Sequence, residues 1–308
     1  MASQTQTALV TGGAGFIGSH LVDALVERGV RVRVLDSFAT GKRENLNQRA
    51  ELIEADIRDL DSIRPAFAGV DSVFHTAALA RVPLSIEKPV ETHAVNATGT
   101  LNVLVAARDA HVRRVINSGS SSVYGDQPTL PLREEMPPNP LNPYGLQKFI
   151  GECYTRQFHK LYGMQTLTLR YFNVFGPRMP SEGAYLTVLS IFIRQRVAGE
   201  ALTINGDGEQ TRDFTQVRDV VRANLLAMDC AVADGRALNI GAGSNVSINQ
   251  VARMVGGPVV HLPPRQGDVR DTLADYSQAE KILSWHPMVA CGDGVAELIR
   301  LAGIRTSA

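Results

Sequence analysis

The chain opens on a pattern that few folds can accommodate: a five-residue strand-like run, Thr7-Ala8-Leu9-Val10-Thr11, passes directly into Gly12-Gly13-Ala14-Gly15-Phe16-Ile17-Gly18. After the glycines, Ile17, Leu21 and Leu25, flanked by Val22 and Val26, recur at helical spacing until Gly29 ends the pattern. A second apolar run, Val30 to Leu35, ends in Asp36, 18 residues beyond Gly18. Strand, glycine turn, helix, strand and acid are the parts of a βαβ unit that binds a dinucleotide. Gly12, Gly15 and Gly18 permit a tight turn and close backbone approach, and the N-terminus of the helix turns its free N–H groups toward a pyrophosphate. Asp36 would accept hydrogen bonds from the adenosine ribose and repel a 2′-phosphate, so NAD is expected rather than NADP.

The rest of the chain supports an α/β, Rossmann-type doubly wound parallel sheet. Leu52 to Asp56, Ser72 to His75 and Val112 to Asn117 read as further strands, and a helical stretch runs from about Val90 to Ala110. This predicts about five parallel strands before residue 120. The proline-rich stretch from Pro128 to Pro143 must be a loop. A helix from Tyr144 to about Tyr162 and a strand from Gln165 to Tyr171 follow, and beyond Phe172 the regular alternation stops. A smaller mixed α/β region that grips the substrate is expected there.

Composition excludes several classes of partner. Lys+Arg and Asp+Glu balance at 31 each over 308 residues, so no excess charge calls for nucleic acid or an anionic membrane. No run approaches the length of a membrane span, and the first residues lack an apolar signal core, so a cytoplasmic location is the expectation. The three cysteines and seven histidines show no metal-ligand spacing, and no metal is expected.

Two residues four apart carry the chemistry. Tyr144 and Lys148 would lie on one face of a helix starting at Pro143, with the ammonium beside the phenol. A neighbouring cation favours the phenolate, which would make Tyr144 a general base near a nicotinamide ring. Gly119-Ser120-Ser121-Ser122-Val123-Tyr124 follows a strand, placing three hydroxyls at the carboxyl edge of the sheet. A serine there can hydrogen-bond the oxygen that loses its proton.

These residues resemble the extended short-chain dehydrogenase/reductases, and within them the UDP-sugar 4-epimerases. The resemblance rests on TGGAGFIGSHL at 11–21, SSSVYGD at 120–126, PYGLQK at 143–148, LRYFNVFGPR at 169–178, INGDGEQTRDF at 204–214 and RQGDVRDTLAD at 265–275. It implies Ser120, Tyr144 and Lys148 as catalytic residues. The implied cofactor set is Gly12, Gly15, Phe16, Ile17, Gly18, Asp36, Ser37, Gly41, Asp56, Ile57, Ala77, Ala78, Asn96, Ser118, Tyr144, Lys148 and Tyr171. For the UDP-sugar it implies Ser121, Ser122, Asn173, Tyr185, Leu189, Thr203, Asn205, Arg212, Arg265, Asp268 and Thr272, with Arg212 and Arg265 clamping the diphosphate. A nucleotide-binding unit of 1–174 with about 213–240, and a sugar-binding unit of about 175–212 with 241–308, are expected. So is a homodimer formed by the helices at about 95–110 and 146–162.

The activity so implied is NAD-dependent inversion at C4 of a UDP-hexose through a transient 4-keto sugar. Thr272 aligns with a gate where a small side chain admits an N-acetyl group, which points to UDP-GlcNAc/UDP-GalNAc together with UDP-Glc/UDP-Gal. The family's dehydratases carry Asp and Glu where this chain has Ser121 and Ser122, and its decarboxylases usually carry a glutamate in that turn. Both are disfavoured. UDP-glucuronate 4-epimerisation is the alternative, since hydroxyls can also bind a carboxylate. A catalytically silent NAD-binding protein would not need Ser120, Tyr144 and Lys148. Two departures from the family pattern, Leu84 in place of an arginine and Gln147 in place of a small residue, bear on substrate preference.

Overall fold

The computed structural model describes residues 6–181, 186–264 and 269–304. In chain order the strands are β1 (Thr7–Thr11), β2 (Arg31–Asp36), β3 (Glu51–Glu54), β4 (Ser72–His75), β5 (Arg114–Ser120), β6 (Gln165–Tyr171), β7 (Leu202–Asn205), β8 (Thr211–Asp213), β9 (Asp234–Ile240), β10 (Asn245–Ser247) and β11 (Val259–Leu262). The α-helices are α1 (Phe16–Glu27), α2 (Leu60–Ile63), α3 (Val82–Glu87), α4 (Pro89–His93), α5 (Thr100–Asp109), α6 (Pro143–Tyr162), α7 (Val188–Ala198), α8 (Val217–Asp229), α9 (Ile248–Val255), α10 (Ser277–Leu283) and α11 (Cys291–Leu301).

Seven strands form one sheet in the order β3-β2-β1-β4-β5-β6-β9, and every pairing in it is parallel. The order reverses beside β1, which creates the crevice where open α/β sheets bind ligands. Both faces are covered. Leu21, Val22, Leu25 and Val26 of α1 pack with Val220, Ala223 and Ala227 of α8 on one side, whereas Ile63, Phe67, Val103, Leu104 and Phe158 cover the other. Burial on both faces explains why β1 and β4 read as nearly unbroken apolar runs rather than alternating ones.

The expected helix from about 90 to 110 is interrupted. Its central residues, Ala94–Gly99, form a π-helical turn between α4 and α5. Gly99 lies against Ile57, where a Cβ would come within 2.6 Å of the isoleucine side chain, so glycine is what lets this helix approach the strand ends.

Beyond β6 the chain builds a second, smaller core from Phe175, Leu189, Phe192, Leu202, Ile204, Phe214, Ile248, Val251, Val295 and Leu298. Parallel β7–β11 and antiparallel β8–β10 are its only sheets among the described residues. Further along the chain, Ala279, Leu283 and Trp285 are buried in the core of the large sheet. Trp285 is fully buried and donates its indole N–H to the Asp219 carbonyl at 2.9 Å. That apolar segment finds its partner in α8 of the sheet, not in the smaller lobe.

Candidate active site

The glycine turn is shaped by its neighbours. Gly12 has φ of +71°, and a Cβ there would sit 2.7 Å from the Ala77 backbone. At Gly18 a Cβ would come within 2.2 Å of the Gly12 carbonyl oxygen, so helix α1 can start against the turn only if this position is glycine. Gly15 is the N-cap of α1, whose first turn carries no acidic residue, and an anion placed there meets no repulsion from the first turn. Phe16 and Ile17 form that first turn. The buried Asp36 carboxylate accepts the Ala14 N–H at 2.9 Å and the Phe38 N–H at 2.8 Å, which anchors the acid at the end of β2 between the glycine turn and the segment holding Ser37 and Gly41. Asp56 and Ile57 follow β3 on the same edge, where Asp56 is held ionised by Arg58 at 2.6 Å. A dinucleotide fits this arrangement of glycine turn, unopposed helix N-terminus and oriented carboxylate.

The tyrosine and lysine are set by the start of α6. Asn142 caps the helix by accepting the Gly145 N–H at 2.9 Å, and Pro143 occupies a first-turn position where its missing N–H costs nothing. The Tyr144 N–H is taken by the Ser85 hydroxyl of α3 at 3.0 Å. Both Tyr144 and Lys148 are buried, at 9% and 7% exposure. The phenol neighbours Ser120, whose hydroxyl donates to Ser122 Oγ at 3.1 Å. Lys148 Nζ donates to the Ser118 carbonyl at 2.9 Å. A polar chain continues from the Ser118 hydroxyl to the Tyr171 phenol at 3.2 Å, to which Asn224 Nδ2 donates at 2.8 Å.

Burial pushes Tyr144 above its usual pKa in the protein alone, and the neighbouring Ser120 recovers only part of the rise. The ammonium is committed to a backbone carbonyl, and its own burial brings Lys148 down to about 8. For both groups burial is the largest influence, and it disfavours the charged form of each.

Helix α6 is tied to the sheet behind this pair. Glu152, one turn beyond Lys148, forms a two-pronged ion pair with Arg170 of β6 at 2.9 and 2.7 Å, with both side chains under 5% exposed. Arg170 also donates to the Tyr124 hydroxyl at 2.6 Å and stacks on its ring. Tyr124 in turn donates to Asn239 Oδ1 at 2.6 Å. Burial pushes Tyr124 up to about 12, so it remains a neutral donor.

His75 lies behind the glycine turn. Its Nδ1 and Nε2 are 2.8 and 2.9 Å from the hydroxyls of Thr11 and Thr100. Because the Thr100 hydroxyl gives its proton to the Asn96 carbonyl, Nε2 must be the protonated nitrogen and Nδ1 the acceptor. Burial brings the imidazole down to about 3, so it is neutral and structural.

After β6, Asn173 has φ of +30°, a strained conformation that asparagine tolerates better than most residues. Its amide donates to the Asp213 carbonyl at 3.1 Å and to Thr272 Oγ1 at 3.2 Å. The Asp213 carboxylate accepts N–H groups from Ala242, Gly243 and Ala274 at 2.6 to 3.0 Å, and its own N–H donates to Thr272 at 3.1 Å. One buried carboxylate thus gathers three separate segments. Arg212, beside it, is held by the Thr211 and Arg270 carbonyls at 2.9 and 3.0 Å. Thr203 is engaged by Gln195 at both its backbone and hydroxyl, and the Asn205 carbonyl accepts from Gln210. Leu189 is wholly enclosed in the smaller core. Tyr185, Arg265 and Asp268 lie outside the described residues.

Ser85, Asp213 and Asn224 were missed from sequence. Each acts on a residue at least 29 positions away, and no local spacing signals that. Ser121 and Ser122 form the 3-10 turn after β5 and remain partly exposed beside Ser120.

The fold and this site define an NAD-dependent enzyme of the short-chain dehydrogenase/reductase type. Residues 8–241 match the NAD dependent epimerase/dehydratase family, and the chain belongs to it. Among curated relatives it is 38% identical to a UDP-glucose 4-epimerase of Mycolicibacterium smegmatis, covering 94% of this chain and 96% of that one. It is also 35% identical to UDP-glucuronic acid decarboxylase 1 of Xenopus tropicalis, covering 94% and 70%. Among solved structures, a UDP-glucose 4-epimerase from Thermotoga maritima with UDP-glucose superposes with a TM-score of 0.92 at 38% identity, covering 96% and 98%. A UDP-N-acetylglucosamine 4-epimerase from Methanobrevibacter ruminantium, in complex with UDP-N-acetylmuramic acid, gives 0.91 at 35%, covering 97% and 98%. A UDP-glucuronic acid 4-epimerase from Bacillus cereus, in complex with UDP-glucuronic acid and NAD, gives 0.87 at 32%, covering 96% and 100%.

Proposed function

We propose that the protein catalyses C4 epimerisation of UDP-hexoses, interconverting UDP-GlcNAc with UDP-GalNAc and UDP-Glc with UDP-Gal. The supporting observation is the buried Tyr144, next to Ser120 and one helical turn of α6 before the buried Lys148, at the mouth of the sheet crevice. The Gly12–Gly18 turn and Asp36 would hold NAD, which when bound would supply reversible acceptance of a hydride from the sugar C4. Tyr144 takes the proton of the sugar 4-hydroxyl and returns it when the configuration has inverted. Ser120 holds that oxygen by hydrogen bonding, and Lys148 adds positive charge beside the phenol. Arg212 grips the diphosphate, for which the planar guanidinium fork is suited. Arg265 and Asp268 are assigned to the diphosphate and ribose by sequence alone. A firm grip on the nucleotide lets the sugar present either face of C4.

Thr272 supports the N-acetylhexosamine reading, because this short side chain, fixed by Asn173 and Asp213, leaves space for the 2-acetamido group. The panel that tests this is UDP-Glc, UDP-GlcNAc and UDP-glucuronate, with C4 inversion read by proton NMR. Absence of UDP-GalNAc from UDP-GlcNAc ends the N-acetyl reading, and inversion of UDP-glucuronate alone would assign Ser121 and Ser122 to a carboxylate.

A homodimer and a division into nucleotide and sugar lobes belong to the same proposal. Leu146, Ile150, Tyr154 and Leu161 fall on one face of α6, opposite Tyr144 and Lys148. Leu146 and Leu161 are 48% and 69% exposed. An apolar stripe of this kind on an otherwise charged helix suits packing against a second copy. Sedimentation of the wild type and of Leu161→Glu tests it, with a monomeric wild type as the contrary result.

A further inference from the structure

Gln147 sits between the two reactive residues of α6, where the family pattern has a small side chain, and the structure uses its whole length. The side chain is 3% exposed, and both ends of its amide are engaged. Oε1 accepts from Asn96 Nδ2 at 2.8 Å, while Nε2 donates to Thr92 Oγ1 at 3.0 Å and reaches the Pro89 carbonyl at 3.4 Å. A serine at this position could not span that distance. Asn96, in the π-helical turn, makes a paired contact with the Leu79 backbone, accepting its N–H at 2.8 Å and donating to its carbonyl at 3.1 Å. The two Nδ2 protons of Asn96 are therefore divided between Leu79 and Gln147.

Leu79 closes the segment that begins at Ala77. That segment is packed so tightly on the glycine turn that a Cβ at Gly12 would strike the Ala77 backbone at 2.7 Å. A continuous line of contacts thus runs from Gln147 through Asn96 and Leu79 to Ala77 and Gly12, the backbone that meets the dinucleotide. Replacing Gln147 would leave a buried donor of Asn96 without its acceptor, and an unsatisfied buried donor is costly enough to move the group that carries it.

We propose that Gln147 is a positioning residue for the cofactor: by holding Asn96 it fixes the 77–79 segment against the glycine turn and strengthens retention of NAD. The inference rests on the NAD assignment and is independent of which sugar is turned over. The role concerns retention in particular, because an enzyme that ends each cycle with its NAD unchanged gains nothing by releasing it.

The test uses full-length Gln147→Ala and Gln147→Met, the second preserving bulk without hydrogen bonds, and Val255→Ala in the smaller core as a stability control. NAD affinity is read by calorimetry on cofactor-stripped protein, and the NAD carried through gel filtration is counted after denaturation. Both Gln147 variants are expected to bind NAD roughly five- to tenfold more weakly, with the KM for UDP-sugar within about twofold of wild type. Val255→Ala should keep wild-type NAD affinity despite a comparable loss of thermal stability. Adding Gln147→Met to Asn96→Ala should cost little more than Asn96→Ala alone, since the two act in series. NAD affinity within twofold of wild type in both Gln147 variants, an equal loss in Val255→Ala, or additive losses in the double variant would each overturn the proposal. The NAD content of the wild type, measured in parallel, tests the cofactor assignment separately.

Discussion

The crevice around Tyr144 and the pocket wall around Thr272 are assembled in opposite ways. At the first, reactive side chains project from the regular elements β5 and α6, and their supports are buried. Lys148 rests on Ser118, the phenol on Ser120, and Glu152 on Arg170. At the second, the structure is a set of loops collected by backbone hydrogen bonds onto the Asp213 carboxylate. Proton transfer tolerates little displacement of the groups involved, whereas the proposed turning over of the sugar needs a wall that restrains it without locking it. The contrast suggests that variants at the first end fail in chemistry or folding, and variants at the second fail in selectivity.

Tyr144→Phe gives the sharpest test of that contrast. It should reduce C4 inversion by about a thousandfold or more while the protein still binds NAD, as read by proton NMR alongside cofactor content. Comparable turnover by the variant would remove the tyrosine from its proposed role. Glu152→Ala comes next, because it leaves Arg170 charged, buried and unpaired. A loss of about 3–5 kcal/mol in urea unfolding is expected, far above the effect of removing the exposed Arg270–Asp207 pair of the smaller lobe.

Thr272→Tyr probes the other end. The larger ring should lower kcat/KM for UDP-GlcNAc by about 10- to 100-fold relative to UDP-Glc, which corresponds to about 1–3 kcal/mol of differential binding. An equal loss on both substrates would show damage to the Asp213 junction instead of a gate.

The smallest net effect comes from pH, because the two regions contribute with opposite sign. His75 has its pKa lowered from 6.5 to about 3, so the fold prefers the neutral ring. Its contribution is complete above pH 6.5 and is lost at about 1.4 kcal/mol per unit as the pH falls toward 3. Asp213 is raised from 3.8 to about 6 because burial outweighs the three N–H groups that it accepts. Its contribution is complete below pH 3.8 and is lost as the pH rises to about 6. The two slopes oppose each other between these limits and should leave the wild-type stability nearly flat there. Urea unfolding at pH 4, 5 and 6 should show stability falling with rising pH in His75→Gln, and falling with acidification in Asp213→Asn. Unchanged profiles in both would contradict the assigned shifts.

Much of the sheet was legible because its signals are local. The Gly12–Gly18 turn, the period-four apolar residues of α1, the run ending at Asp36 and the strand at 165–171 all appear in the structure where their spacing places them. The π-helical turn at 94–99 was not legible, since the apolar spacing of a helix barely changes across a single wide turn. Tyr144 and Lys148 could be paired from their spacing, but the direction of the tyrosine's pKa could not be known. It depends on how deeply the phenol is buried and on which carbonyl claims the ammonium.

The order of residues by itself determined that a glycine turn would join a strand to a helix, that an acid would end the next strand, and that a tyrosine and lysine would share a helical face. These follow from backbone sterics and helical periodicity within a few residues. Only the tertiary structure decided that Gln147 would reach Asn96, that Asp213 would gather two distant segments onto its own strand, and that burial would set the titration of Tyr144, His75 and Lys148. Desolvation and long-range hydrogen bonding depend on which surfaces meet once the chain has closed, and no short stretch of sequence contains that information.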